Sequence, residues 1–226
     1  MVYDMIDTNT HIYASDDTEA IIDLGWGGLK DYIFPCLTST GGICQIGEGL
    51  AHGSFLDLHI LFHIRIDSGD GRRMKIIWIG QTLLEEWGIS LQTLEGQAVK
   101  NLIKDRYTIQ PIDDILKSFL DGDTVLDMPL GCPLYVLTNQ RALFGAAGIL
   151  DKGIVSAFAD KVGYDLFILP SSRHEVLICP DNKEVTAGEL SSIVREVNDS
   201  IVEPCDRLSD HAYYYDREMD EIRMRR

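Results

Sequence analysis

Phe-Leu-Asp-Leu-His-Ile-Leu-Phe-His-Ile-Arg-Ile, at residues 55–66, decides how this chain is read. Leu56, Leu58, Ile60, Phe62, Ile64 and Ile66 alternate with Phe55, Asp57, His59, Leu61, His63 and Arg65. A period of two places one set on each face of a strand. One face is wholly apolar, so the strand is expected to be half-buried, with the Asp57–Arg65 face the more exposed. Asp67 to Gly71 has turn composition, and Met74 to Ile79 reads as the returning strand of a hairpin.

Helical patterns follow. Thr82 to Trp87 ends at Gly88, a residue suited to a left-handed cap. Ser90 can cap a helix whose Leu91, Leu94, Ala98, Leu102 and Ile103 share a face. Pro111 opens a third helix that reaches Leu120. Strands are expected at 134–138, 144–150, 165–169 and 174–179. Helices are expected at 152–163 and from a Thr186 cap to Asn198. Hairpins interleaved with helices, without strict alternation of strand and helix, make the class α+β. Residues 1–54 are glycine-rich, acidic and weakly periodic. They read as a loop-rich N-terminal arm with a short helix at 18–24 and a short strand at 32–37. The rest, 55–226, reads as an α+β domain that could divide near 125–132.

The chain has 226 residues, enough to bury about 70–75% of its unfolded surface without disulfides or metals. Thirty-six acidic residues against 20 basic ones give a net charge of −16. Such a field disfavours direct binding to nucleic acid and favours basic partners. Five scattered cysteines with no Cys-x-x-Cys pattern suggest reduced thiols in a cytoplasm. No basic-then-apolar leader appears, and no apolar run approaches the roughly 20 residues of a membrane span.

Two polar clusters invite chemistry. Ser171, Ser172, His174 and Glu175 share one turn between strands. A serine nucleophile needs a base within about 3 Å and an acid behind it, which sequence neighbours rarely supply. The turn therefore reads as a hairpin whose hydroxyls bond the backbone, with a Ser/His hydrolase drawing on His211 as the alternative. Asp210, Tyr213, Tyr214, Tyr215 and Asp216 form the second cluster. Tyrosines among acids suit a protein interface, or a tail docked on its own core. Asp57 and His59 lie about 7 Å apart along the strand and are weak metal candidates, whereas His59 and His63, about 13 Å apart, cannot share one ion. No cofactor is expected.

The runs Leu-Pro-Ser-Ser-Arg-His-Glu-Val at 169–176 and Leu-Ser-Asp-His-Ala-Tyr-Tyr-Tyr-Asp-Arg at 208–217 carry a resemblance, joined by residues 55–58 and 87–94. Together they resemble a bacterial domain-of-unknown-function family, number fifty-six eighty-eight, of Gram-positive gut anaerobes. The resemblance covers roughly 55–220. It implies no reaction, and it implies a chain shortened or rearranged over its first fifty residues. The function expected from the residues is that of a cytoplasmic, non-enzymatic protein-binding module for a basic partner, in its sharpest form an inhibitor or decoy of a nucleic-acid-binding protein. The oligomeric state is left open.

Replacing Ile60 with Asp is expected to abolish folding, because an unpaired charge would enter the apolar face. A soluble variant that still melts cooperatively would refute the strand assignment.

Overall fold

A computed structural model describes residues 16–42, 49–67, 74–119, 133–200 and 202–224. Two antiparallel sheets share one continuous apolar core. The first is built on β3 (Leu58–Asp67), the strand announced by the period of two. β1 (Ile33–Thr38) pairs along one side of it, from Ile33↔Ile64 to Thr38↔His59. β2 (His52–Phe55) and β4 (Met74–Trp78) follow one another along the other side. Residues 56 and 57 are not strand: Leu56 adopts a left-handed backbone (φ 55°) in the tight connection from β2, which ends at Phe55, to β3.

Helices cover the first face of this sheet. α1 (Asp16–Ile22) and α2 (Gly25–Leu29) precede β1. α3 (Gln81–Trp87) stops at Gly88, whose φ of 64° and N–H bond to Leu84 O make the expected left-handed cap. α4 (Leu91–Asn101) starts where Ser90 Oγ accepts the Thr93 N–H, and it buries Leu94 and Ala98. Leu102, just beyond it, is buried too, but Ile103 is 79% exposed. Asn101 Nδ2 donates to Lys30 O and Ile33 O (2.7 and 2.8 Å), which fastens the start of β1 to α4.

The second sheet runs in the order β10-β9-β7-β8-β6-β5. These strands are β5 (Tyr107–Pro111), β6 (Tyr135–Asn139), β7 (Leu166–Leu169), β8 (Val176–Pro180), β9 (Tyr213–Asp216) and β10 (Glu221–Met224). α5 (Ile112–Phe119) follows Pro111, as its fixed φ favours. α6 (Lys152–Val162) is capped by Asp151, whose side chain accepts the Gly153 N–H. α7 (Ala187–Ser200) opens with a capping box between Thr186 and Glu189. Side chains alternate by face as a strand requires. Leu166, Ile168, Tyr213 and Tyr215 enter the shared core, whereas Phe167, Leu169 and Tyr214 pack with Leu190 and Val194 of α7. The possible division near 125–132 lies outside the described residues.

Two expectations are overturned. Residues 144–150 form no strand; Gly145–Leu150 is a 3₁₀ helix entered through Phe144 in a left-handed conformation (φ 54°). It lies against β6 and β5 so closely that a Cβ on Gly148 would fall 2.6 Å from the Tyr107 ring. The second correction concerns β3. Its polar-looking face is not exposed: Leu61, His63 and Arg65 are all buried. Phe144 and Asp105, contributed by segments distant in sequence, cover it. His63 makes ring contacts with Phe34, Trp78 and Phe144 at centroid distances of 5.1–6.3 Å. Neither of its ring nitrogens has a hydrogen-bond partner.

Burial, reinforced by the neighbouring Arg65 cation, lowers the His63 pKa from 6.5 to about 3. The unfolded chain then binds the proton that the folded chain refuses. Stability is full above pH 6.5 and is lost as the pH falls toward 3, by about 1.4 kcal/mol per pH unit. In urea titrations at stepped pH, His63→Leu should show a slope shallower by about that amount. Matching pH profiles for the variant and the parent would refute the assignment.

Candidate functional site

The face of β3 that carries His63 meets the second sheet through polar groups. Arg65 Nη1 donates to Asp105 Oδ2 (3.1 Å), and Nη2 pairs with Oδ1 of the same carboxylate. Both side chains are buried. The guanidinium carbon stands 3.5 Å from the centroid of the Phe34 ring, within cation–π range. Cys36, on the same face of β1, has its thiol pushed up to about 12 by burial.

The Ser171–Glu175 turn is organised from outside itself. Arg173 Nη2 bonds Asp206 Oδ1 (2.6 Å), and Arg173 N donates to Asp206 O. His174 Nε2 lies 3.4 Å from Asp206 Oδ2, and its Nδ1 accepts the Phe144 N–H (3.4 Å). The ring stacks on Phe144 at 13°. Both imidazole nitrogens are therefore engaged. Ser172 Oγ accepts the His174 backbone N–H (3.1 Å), as a turn hydroxyl does, and Ser171 is buried. His211 is exposed, and its backbone N–H bonds Ser209 Oγ. Partial burial tends to raise the Asp206 carboxyl, but the His174 hydrogen bond and the Arg173 charge outweigh this and hold it at about 2. Burial pushes the Glu175 carboxyl up. Asp206 was not legible as a partner, since it follows its turn by a whole helix.

The tail tyrosines lie inside the protein. Tyr213, Tyr214 and Tyr215 are buried, so their rings are not open to a partner. Each hydroxyl meets carboxylates. Tyr213 donates to Asp57, and Tyr215 to Asp220 (2.8 Å). Tyr214 sits 2.9 Å from both Asp165 and Asp181. Burial and the adjacent carboxylate push all three hydroxyls up, Tyr215 to about 12. Asp210 accepts from Asn198 Nδ2 (2.8 Å), and Asp216 pairs with Arg223 (2.9 Å). Asp57 also accepts from Ser209 Oγ (2.7 Å), whereas His59 Nε2 bonds Thr40 Oγ1 (3.2 Å). Asp57 and His59 are thus drawn to different partners. Among the described residues, no group of three or more His, Cys, Asp or Glu side chains could hold a metal ion.

A cavity of about 760 Å³ opens beside the Arg65–Phe34 stack. Ile21, Leu24, Leu29 and Ile66 supply apolar wall. Tyr32 and two ion pairs stand at its edge. Lys104 Nζ donates to Asp31 O (2.7 Å) and Asn101 Oδ1 (3.0 Å), with Asp31 Oδ1 at 3.6 Å. Arg141 pairs with Asp67 (2.7 Å). These residues come from four stretches of the chain, 21–34, 65–67, 101–104 and 141, and nothing in the sequence links them.

A family model described as "Family of unknown function (DUF5688)" matches residues 4–217. The match takes in the N-terminal region that the resemblance in sequence left out. No curated protein and no solved structure matches the chain. No helix among the described residues is long and apolar enough to cross a membrane.

Asp206→Asn should cost on the order of 2 kcal/mol in urea unfolding, because two largely covered partners lose a charged acceptor. Asp160→Asn, which touches only the exposed Arg217 pair, should stay within about 0.5 kcal/mol. Equal losses in the two variants would show that Asp206 does not organise the turn.

Proposed function

This chain belongs to the DUF5688 family of unknown function, and since membership brings no activity with it, we propose that it works by binding a basic protein rather than by catalysing a reaction. The observation that carries this reading is the commitment of the candidate catalytic groups to the fold. His174 has both nitrogens engaged, Ser172 Oγ faces a backbone N–H, and Asp57 serves Tyr213 and Ser209. A serine hydrolase would need at least one of these hydroxyls directed at an imidazole.

The net charge of −16 supports a basic partner, drawn in by long-range attraction and held by short-range contacts. The tail keeps a place in this reading through its turn instead of its tyrosines. Met219 is 65% exposed between β9 and β10, flanked by exposed Glu218, Asp220 and Glu221. An apolar contact ringed by acids suits a basic surface with an apolar centre. An inhibitor or decoy of a nucleic-acid-binding protein is the sharpest form of the proposal. Among the described residues, Cys36, Cys179 and Cys205 are thiols outside any disulfide, which supports a cytoplasmic location.

Affinity capture at low salt should recover a basic partner, with association slowing markedly as salt rises past about 0.15 M, where the screening length is about 8 Å. Glu218→Lys combined with Glu221→Lys should slow association further while leaving the melting temperature in place. Salt-insensitive capture, or direct binding of duplex DNA or RNA, would overturn the proposal.

A further inference from the structure

We infer that His52 and His59 form a binding site for one divalent transition-metal ion of the zinc class, with solvent completing its coordination. This goes beyond the protein-partner reading and does not depend on it. Along the strand His59 has Asp57 for a neighbour, but the sheet gives it His52 instead. β2 and β3 pair antiparallel, with Ser54 opposite His59 and His52 opposite Leu61. Opposed residues share a face, so both imidazoles stand on the same side of the sheet, diagonal to each other. Their ring centroids lie 5.4 Å apart, with the planes at 81°.

That distance is the one a shared ion sets. A Zn–N bond of about 2.0–2.1 Å places each ring centroid about 3.2 Å from the ion, and a tetrahedral angle then places the two centroids about 5.2 Å apart. Rotation about the two metal–nitrogen bonds leaves the angle between the planes free. The nitrogens are divided as ligation requires. His52 Nδ1 lies 3.0 Å from Leu50 O, which only accepts, so Nδ1 carries the proton and Nε2 keeps a lone pair. His59 Nε2 bonds Thr40 Oγ1 (3.2 Å), while its Nδ1 is buried without a partner. A ligating histidine commonly has its second nitrogen held by an oxygen in this way, which fixes the tautomer and the ring. An unpaired buried nitrogen costs free energy, and an ion at His59 Nδ1 would remove that cost. His52 is exposed and His59 half-buried, so the ion reaches the pair from solvent as the His52 ring turns. Two neutral imidazoles suit zinc, nickel or copper, whereas magnesium and calcium take sets of oxygens that this pair does not supply. Two protein ligands also leave the ion with open positions, unlike a closed structural site.

The test is calorimetric titration of the full chain with zinc, nickel, magnesium and calcium chlorides, alongside thermal unfolding. Zinc and nickel should bind one to one below about 100 µM, at least about tenfold more tightly than magnesium or calcium. His52→Ala changes an exposed side chain, so without metal it should unfold like the parent chain. It and His59→Ala should each weaken zinc binding by at least about tenfold. His211→Ala, at an exposed histidine elsewhere, should bind zinc like the parent. If His59→Ala does not fold, His52→Ala alone decides. The inference is overturned if zinc does not bind by about 100 µM, if magnesium or calcium binds as well as zinc, or if a folded His52→Ala or His59→Ala chain binds zinc like the parent. In that last case the two rings make an aromatic contact only.

Discussion

The charge of Arg65 has to be answered inside the protein, and the arrangement of the two sheets follows from how it is answered. Arg65 lies near the end of β3 with only 7% of its surface exposed, so its charge is answered mainly by protein groups rather than by bulk water. Asp105 supplies the counter-charge from the turn that follows α4, with Arg106 in a left-handed conformation (φ 50°) redirecting the chain into β5. The pair therefore joins the central strand of one sheet to the first strand of the other. Removing one partner of such a pair typically costs about 3–5 kcal/mol, whereas replacing both with apolar groups can be neutral. Its contribution is accordingly one of placement, fixing where the second sheet begins relative to the first.

Around that pair the contact between the sheets is aromatic and partly polar. Phe34 lies under Arg65, His63 is enclosed by Phe34, Trp78 and Phe144, and Phe144 stacks on His174, which leans on Asp206. The same contacts hold His174 in place from both sides of its ring.

The features legible in the sequence are those whose cause is local. The period of two in β3, the Gly88 stop, the Ser90 and Thr186 caps, the strand at 135–138 and the strand pair at 166–179 follow from neighbours one to four residues away. The features that were missed have distant causes. His63 and Arg65 look like solvent-facing residues until Phe144 and Asp105 are placed over them. Residues 144–150 are apolar enough for a strand, and only the closeness of Gly145 and Gly148 to β6 and Tyr107 makes them a 3₁₀ turn. The tyrosines at 213–215 read in the sequence as either an interface or a tail docked on its own core, because their partners, Asp57, Asp165, Asp181 and Asp220, are mostly far away in the chain. The cavity was out of reach for the same reason.

The sheet order also has a consequence for how the chain is made. β7 is entirely apolar and buried, and its two neighbours are β8, which follows it directly, and β9, which comes more than forty residues later. During synthesis from the N-terminus, the Leu166–Ile168 edge has no partner until Tyr213–Tyr215 has emerged. An open apolar strand edge invites pairing with another chain. Nascent chains on one message would therefore be most prone to cross-pairing in the interval between these two strands. α7, which lies on one face of β7 and is completed within that interval, covers that face but leaves the edge open.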